Sequence, residues 1–220
     1  MTAGSSNYVC ERAGGEHAEQ LLALFEASGN GCFCNYWYFT GDKNAWLERC
    51  YIQPEENRAA LVARLSQPDL CGVVALRKSD ATGNNDVRSA AQRSDEIAGW
   101  LNLSRVSTVP KLFDQRVYRN LPCFQGEPGA RENVFAVACC YVAESERGRG
   151  VAHELLSAAI AAVRESGGSA IEAFPRGRAP DAEKLRPDEL LLGPEQLFLA
   201  AGFKPVSDFR PYPVLRLHLP

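Results

Sequence analysis

The stretch "YVAESERGRGVAHELL", residues 141–156, joins the two strongest patterns in the chain. Just before its turn, "NVFAVACCYVA" (133–143) is apolar at nearly every position, as expected of a central strand covered on both faces. After the turn, Ala152, Leu155, Leu156, Ala159, Ile160 and Val163 fall at i, i+3, i+4, i+7, i+8 and i+11, the spacing of one helix face, and "SGG" ends the run. Between strand and helix lie Arg147, Gly148, Arg149 and Gly150. A glycine-rich turn at a helix start presents free backbone N–H groups on the positive end of the helix dipole, which suits a phosphate or pyrophosphate. Gly148 and Gly150 let the backbone approach such a group, while Arg147 and Arg149 add charge-assisted contacts.

Two common nucleotide loops fit this stretch badly. A dinucleotide fingerprint wants a small residue three positions after its second glycine, where this chain has His153. A P-loop wants Gly-Lys-Ser/Thr opening its helix, but Gly150 is followed by Val151 and Ala152.

The surrounding chain is of mixed α and β type. "EHAEQLLALFEAS" (16–28) carries Ala18, Leu21, Leu22 and Phe25 on one helical face, and Pro54 opens a second helix with Glu55 and Glu56 in its first turn. "GCFCNYWYF" between them reads as a short strand or ordered loop. "CGVVALRKS" (71–79) and "EIAGWLNLS" (96–104) read as strands joined by a long polar loop, with a short helix following near 110–119. Past the motif helix come a strand at 169–175, an insert Arg176–Gly193, a helix in "PEQLFLAAGF" (194–203) capped by Gly202, and a strand at 213–219. This order predicts an α/β sandwich.

Composition narrows the partners. The 220 residues carry a formal charge of −3 and 45% apolar residues, which leaves no electrostatic footprint for a nucleic acid. No apolar run approaches the roughly 20 residues of a membrane span, and the first residues, "MTAGSSNYVCERAGG", lack the pattern of an export signal. Eight scattered cysteines then read as reduced thiols of a cytoplasmic protein. Cys32 and Cys34, with Cys50 and His17, could be imagined around zinc, but Cys-x-Cys without a second paired unit is a weak metal signal and no metal is expected. A disulfide across so short a loop would be strained.

Arg147-x-x-Gly150-x-Ala152, after a strand ending in Val142, resembles the (Gln/Arg)-x-x-Gly-x-(Gly/Ala) signature of the GNAT superfamily of acyl-CoA-dependent N-acetyltransferases. "LFLAAGF" resembles the family's second landmark, a short helix ending in Gly-Phe, and the element order from residue 71 onward matches. "CFCNYW", "GW", Cys139 and "EAFP" further resemble a bacterial subgroup with an early Cys-aromatic-Cys. The resemblance implies a single domain: a mixed, mostly antiparallel central sheet flanked by helices, a three-layer α/β/α sandwich. Residues 1–70 would form the acceptor side and 71–220 the acyl-CoA-binding core. It implies direct transfer of an acetyl group from acetyl-CoA to a primary amine of a small molecule, with a protein amine or a non-catalytic acyl-CoA sensor or scaffold as alternatives. Homodimers are common among relatives and are expected here.

Site residues follow from the same resemblance. Arg147, Gly148, Arg149, Gly150, Val151 and Ala152 would cradle the coenzyme A pyrophosphate. Cys140 and Val142 would contact the pantetheine arm through main chain, with a backbone N–H near Val142 facing the acetyl oxygen. Phe33, Tyr36 and Trp37 would line the acceptor pocket. Glu172 is the best-placed carboxylate for a general base, its alternative being a solvated or structurally paired strand glutamate. Many relatives use a tyrosine as acid where this chain has Phe198, with Tyr141, Tyr212 and Tyr38 as unranked substitutes. Cys139 and Cys140, inside an apolar strand, are expected to pack rather than react, and none of His17, His153 and His218 is assigned a role. The insert Arg176–Gly193 reads either as a lid or as a solvated loop.

Overall fold

The computed structural model describes residues 7–29, 31–78, 96–114, 117–125, 131–177 and 191–220. The polar loop expected between the second and third strands, and most of the insert Arg176–Gly193, lie outside the described residues. Seven strands form one sheet in the order β1-β2-β3-β4-β5-β7-β6. They are β1 (Tyr8–Arg12), β2 (Gly72–Arg77), β3 (Glu96–Arg105), β4 (Val134–Val142), β5 (Ala170–Ala173), β6 (Lys204–Ser207) and β7 (Val214–His218). Only β4 and β5 run parallel. This is the mixed, mostly antiparallel sheet that the motif order implied.

Helices cover both faces. On one lie α5 (Val151–Glu165) and α6 (Glu195–Ala200), whose Leu155, Leu156, Val163, Leu197 and Phe198 join Leu101, Leu103, Val137 and Ile171 of the sheet. Leu155 and Leu156 are at most 1% exposed, each contributing about 1.5–3 kcal/mol of burial. Gly99 of β3 permits this close packing. A β-carbon there would stand only 3.0–3.1 Å from Leu155, Val151 and the Tyr141 carbonyl. The other face carries α1 (Ala18–Ala27), α2 (Lys43–Tyr51), α3 (Pro54–Leu65) and the short α4 (Pro110–Asp114). There Leu21, Phe25, Leu61 and Trp100 form one cluster, and Trp37, Tyr118 and Phe174 anchor a second.

The "GCFCNYWYF" stretch takes the ordered-loop alternative, a series of turns with a 3-10 helix at Tyr36–Tyr38. Three elements, α2, β1 and β6, are absent from the sequence reading. α2 is held at its start by the Asp42 carboxylate, which accepts from the Ala45 amide at 2.9 Å; its weak amphipathicity hid it, and none of its residues is buried. β1 was missed for a similar reason, because only Tyr8 of its five residues is buried.

Glu172 has no exposed side-chain surface, and both its oxygens are engaged. Arg131 Nη2 donates to Oε2. Arg216, its direct partner across β7, donates to Oε1 from Nη2 at 2.5 Å and Nε at 3.0 Å. Removing one member of such a buried group leaves its partners uncompensated. Glu172→Gln is expected to lower the unfolding free energy by about 3 kcal/mol, read from urea denaturation.

Candidate active site

β4 is paired with β5 only from Val134↔Ala170 to Val137↔Ala173. Beyond that point β5 ends and β4 continues to Val142, leaving one strand edge open. The same region of β4 carries a bulge: Val137 faces Leu103 and Cys139 faces Asn102, so Ala138 is an extra residue. Bulges of this kind re-aim side chains beside active sites. Ala143 N–H bonds to β3 through Ala98 O at 2.9 Å. Strand alternation therefore turns the Val142 and Cys140 amides toward the open edge. The Cys140 amide, expected to be free, instead donates to Leu191 O at 2.6 Å.

Past β4, a 3-10 turn at Glu144–Glu146 leads into the glycine loop. Gly148 (φ +75) and Gly150 (φ +87) take left-handed conformations with open space where a β-carbon would stand, the freedom that glycine supplies. The five successive amides of residues 148–152 make no hydrogen bond to another described backbone carbonyl. They stand at the start of the longest helix among the described residues. Arg147 and Arg149 are exposed beside them, Arg147 Nε reaching Val142 O at 3.3 Å.

The sequence reading missed the anchor of this loop. Glu146 is buried and accepts from Tyr8 OH at 2.7 Å and Arg77 Nη1 at 3.3 Å, with Arg149 Nε 4.0 Å away. It ties the loop to β1 and β2 on the far side of the sheet. Only the acidic residue inside "ERGRG" hinted at it, and its partners lie about 70 and 140 residues away in sequence.

A groove of about 1010 Å³ runs from Arg147 and Glu144 past Tyr141 along Gln20, Ala23 and Leu24 of α1 to Leu191. Leu191 also borders a second cavity of about 430 Å³. That cavity is walled by Tyr36, Trp37, Trp46, Leu47 and Tyr51, floored by bulge residues Ala138 and Cys139, and lined by Cys32, Cys34 and Cys50. Tyr36 and Trp37 thus line one cavity together. Trp37 also packs on Tyr118 and Phe174, at 6.2 and 5.9 Å between centroids. Phe33 is a correction. Its ring packs under α1 against Phe25 at 6.1 Å, because the left-handed backbone at Phe33 (φ 43) sends it away from the cavity. Trp46, on the unforeseen α2, supplies a wall instead.

Glu172 takes the structurally paired alternative: its side chain has no exposed surface and both its oxygens accept from arginines. Phe198 is fully buried against Phe203 at 5.4 Å and offers no proton. Of the substitute tyrosines, Tyr38 OH is tied to Asn102 and Ser104, and Tyr212 OH accepts from Arg176. Tyr141 borders the groove and packs on Phe25. Among the described residues no three His, Cys, Asp or Glu side chains are grouped to hold a metal ion, and no helix is long and apolar enough to cross a membrane.

The model of the acetyltransferase (GNAT) family matches residues 51–179, more than half of the chain. The chain belongs to the GNAT acetyltransferase family and is a transferase that uses acetyl-CoA. No curated protein matches it. Among solved structures, a GCN5-related N-acetyltransferase from Kribbella flavida is 13% identical with a TM-score of 0.51, covering 97% of this chain and 98% of that one. The structure of yncA from Salmonella typhimurium with its cofactor acetyl-CoA is 12% identical (TM-score 0.48, 98% and 95% covered). The GNAT domain of S. lividans PAT is 16% identical (TM-score 0.48, 96% and 89% covered).

The thiols around the site differ in character. Burial, joined by the nearby Glu154 carboxylate, pushes the Cys10 thiol up to about 11, and burial pushes Cys140 up to about 12. Only the thiolate reacts, and its higher basicity offsets just part of its scarcity. Cys10, although partly exposed, is therefore expected to react with iodoacetamide at pH 8 roughly tenfold or more slowly than a free cysteine, as followed by peptide mass mapping.

Proposed function

We propose that this protein moves the acetyl group of acetyl-CoA directly onto the primary amine of a small, largely apolar molecule. The observation that carries this reading is the row of five amides at residues 148–152 that bond to no described backbone carbonyl, flanked by Arg147 and Arg149 and continued by a groove to an aromatic cavity. In this reading Gly148, Gly150, Val151 and Ala152 hold the pyrophosphate through main-chain N–H groups, and the two arginines add charge. The pantetheine arm follows the groove and the open edge of β4, where the Val142 amide faces the acyl oxygen. The Cys140 amide becomes available to it once Leu191 yields.

The acceptor occupies the cavity of Tyr36, Trp37 and Trp46, beside the β4 bulge. Its walls come from residues 29–51 on one side and from 138–139 and 191–192 on the other. That supports an acceptor side formed by residues 1–70 and a donor side formed by 71–220. The cavity volume of about 430 Å³ falls in the range of small-molecule pockets, which supports a small molecule over a protein side chain. Holding amine and thioester together provides much of the acceleration that such a transfer needs.

Two measurements test this. Calorimetric titration with acetyl-CoA is expected to show binding by the wild type and at least about 100-fold weaker binding by an Arg147→Glu, Arg149→Glu variant, since each lost charge-assisted contact contributes about 1.5–3 kcal/mol. Absence of binding by the wild type would remove the reading. Trp46→Ala, at a half-buried wall position, is expected to raise the acceptor KM about tenfold while leaving acetyl-CoA affinity unchanged, as one aromatic wall is lost. Equal loss of both would indicate damage to the fold instead.

A further inference from the structure

Direct transfer onto an amine needs a group that takes a proton from the bound ammonium, and Glu172 is not aimed to do so. Among the described residues lining the aromatic cavity there is no carboxylate, imidazole or ammonium. Its titratable groups are the phenols of Tyr36 and Tyr51 and the thiols of Cys32, Cys34, Cys50 and Cys139.

One thiol is set apart by its surroundings. Phe33 and Cys34 both adopt left-handed backbone (φ 43 and 59), a strained conformation for non-glycine residues that persists only where neighbours fix it. Asn102 Nδ2 donates to the Cys34 carbonyl at 3.2 Å and Arg64 Nη2 to the same oxygen at 3.4 Å. The Trp100 indole Nε1–H then donates to Cys34 Sγ at 3.2 Å. An indole nitrogen can only donate, so the sulfur is held as an acceptor. Cys139, next to the extra residue Ala138 of the β4 bulge, lines the same cavity as Cys34.

We propose that Cys34, fixed beside the β4 bulge by Trp100, is the general base of the acetyl transfer. This rests on the reading of the cavity as the acceptor site. The first proton of the ammonium passes to the Cys34 thiolate. The freed nitrogen lone pair attacks the thioester carbon and forms the C–N bond. The C–S bond then breaks, and the departing thiolate of coenzyme A takes the nitrogen's second proton. Cys34 returns its proton to solvent, so the reaction yields amide, coenzyme A and one proton.

The groups facing Cys34 come from every packed element: Cys139 and Cys140 of β4, Trp100 and Asn102 of β3, Arg64 of α3, and Cys32 and Tyr38 of its own segment. Burial alone would raise the Cys34 thiol. Hydrogen bonds from Cys139, Asn102 and Trp100, and the charge of Arg64, bring it below the ordinary cysteine value. Cys139 is held well above that value by its hydrogen bond to Cys34 and by burial, and burial pushes Cys32 up to about 12.

The test compares wild type and Cys34→Ser with acetyl-CoA and two acceptor probes, benzylamine and aniline. Benzylamine is an ammonium at neutral pH and needs a base, whereas aniline arrives neutral. Cys34→Ser is expected to lower kcat/KM for benzylamine about 100-fold or more and for aniline by less than about threefold, a small fraction of that general-base effect. The acid limb of the benzylamine pH profile should disappear with it. Equal losses for both amines, or none for benzylamine, would overturn the proposal. So would an acetyl group found by mass spectrometry on Cys34 after incubation with acetyl-CoA alone, which would make it a nucleophile.

A second readout needs no turnover. The ultraviolet absorbance of one thiolate at pH 7 should be present in the wild type and missing in Cys34→Ser. Its absence from the wild type overturns the proposal even if neither probe is an acceptor. The acetyl-CoA titration above, by contrast, decides the transferase reading on its own.

Discussion

β4 has a partner on both edges only as far as Val137. The cradle, groove and cavity all lie along the part of the strand beyond that point. Up to Val137 the strand is locked between β3 and β5 and sealed by α5, with the buried Glu172 ion triad joining β5 to β7. Past Val137 the sheet has lost its parallel neighbour, an extra residue has entered the strand, and backbone groups point into space. Unpaired main-chain groups are costly where water is excluded, so the fold leaves them along an open groove and at a helix start.

The same economy explains the charge pattern. Around the loop, cations are exposed and ready for an anion, but one buried carboxylate, Glu146, offsets them from beneath. It also fastens the loop to the first two strands through Tyr8 and Arg77. The arginine-rich turn is therefore braced from behind, which keeps its amides aligned before any ligand arrives. At the cavity the choice is the reverse. Aromatic rings and thiols replace charges among the described lining residues.

What the sequence made legible follows from how local each signal is. The motif helix, central strand and glycine turn lie within about 35 consecutive residues, and period, capping and composition agree across them. Tyr36 and Trp37 were placed by an aromatic run. Phe33, in the same run, was misplaced because two left-handed residues reverse the direction of successive side chains. Glu172 looked available because its arginines come from residues 131 and 216, and no local pattern pairs them. The packing of Cys139 and Cys140 was readable from their strand. The hydrogen bond that Cys34 Sγ accepts was not, since its donor Trp100 lies 66 residues away.

The hydrogen bond from Cys140 to Leu191 sets a further condition on ligand binding. A ligand that pairs with this amide must first dislodge the segment that leads into α6. Occupancy of the open strand edge and the seating of Leu191 are then competing states, and thermodynamic linkage makes their competition reciprocal. Whatever holds Leu191 in place weakens the ligand by the same factor that the ligand loosens Leu191. Because this residue also borders both the groove and the cavity, filling one compartment changes the wall of the other. Groove and cavity are thus coupled through a single main-chain contact.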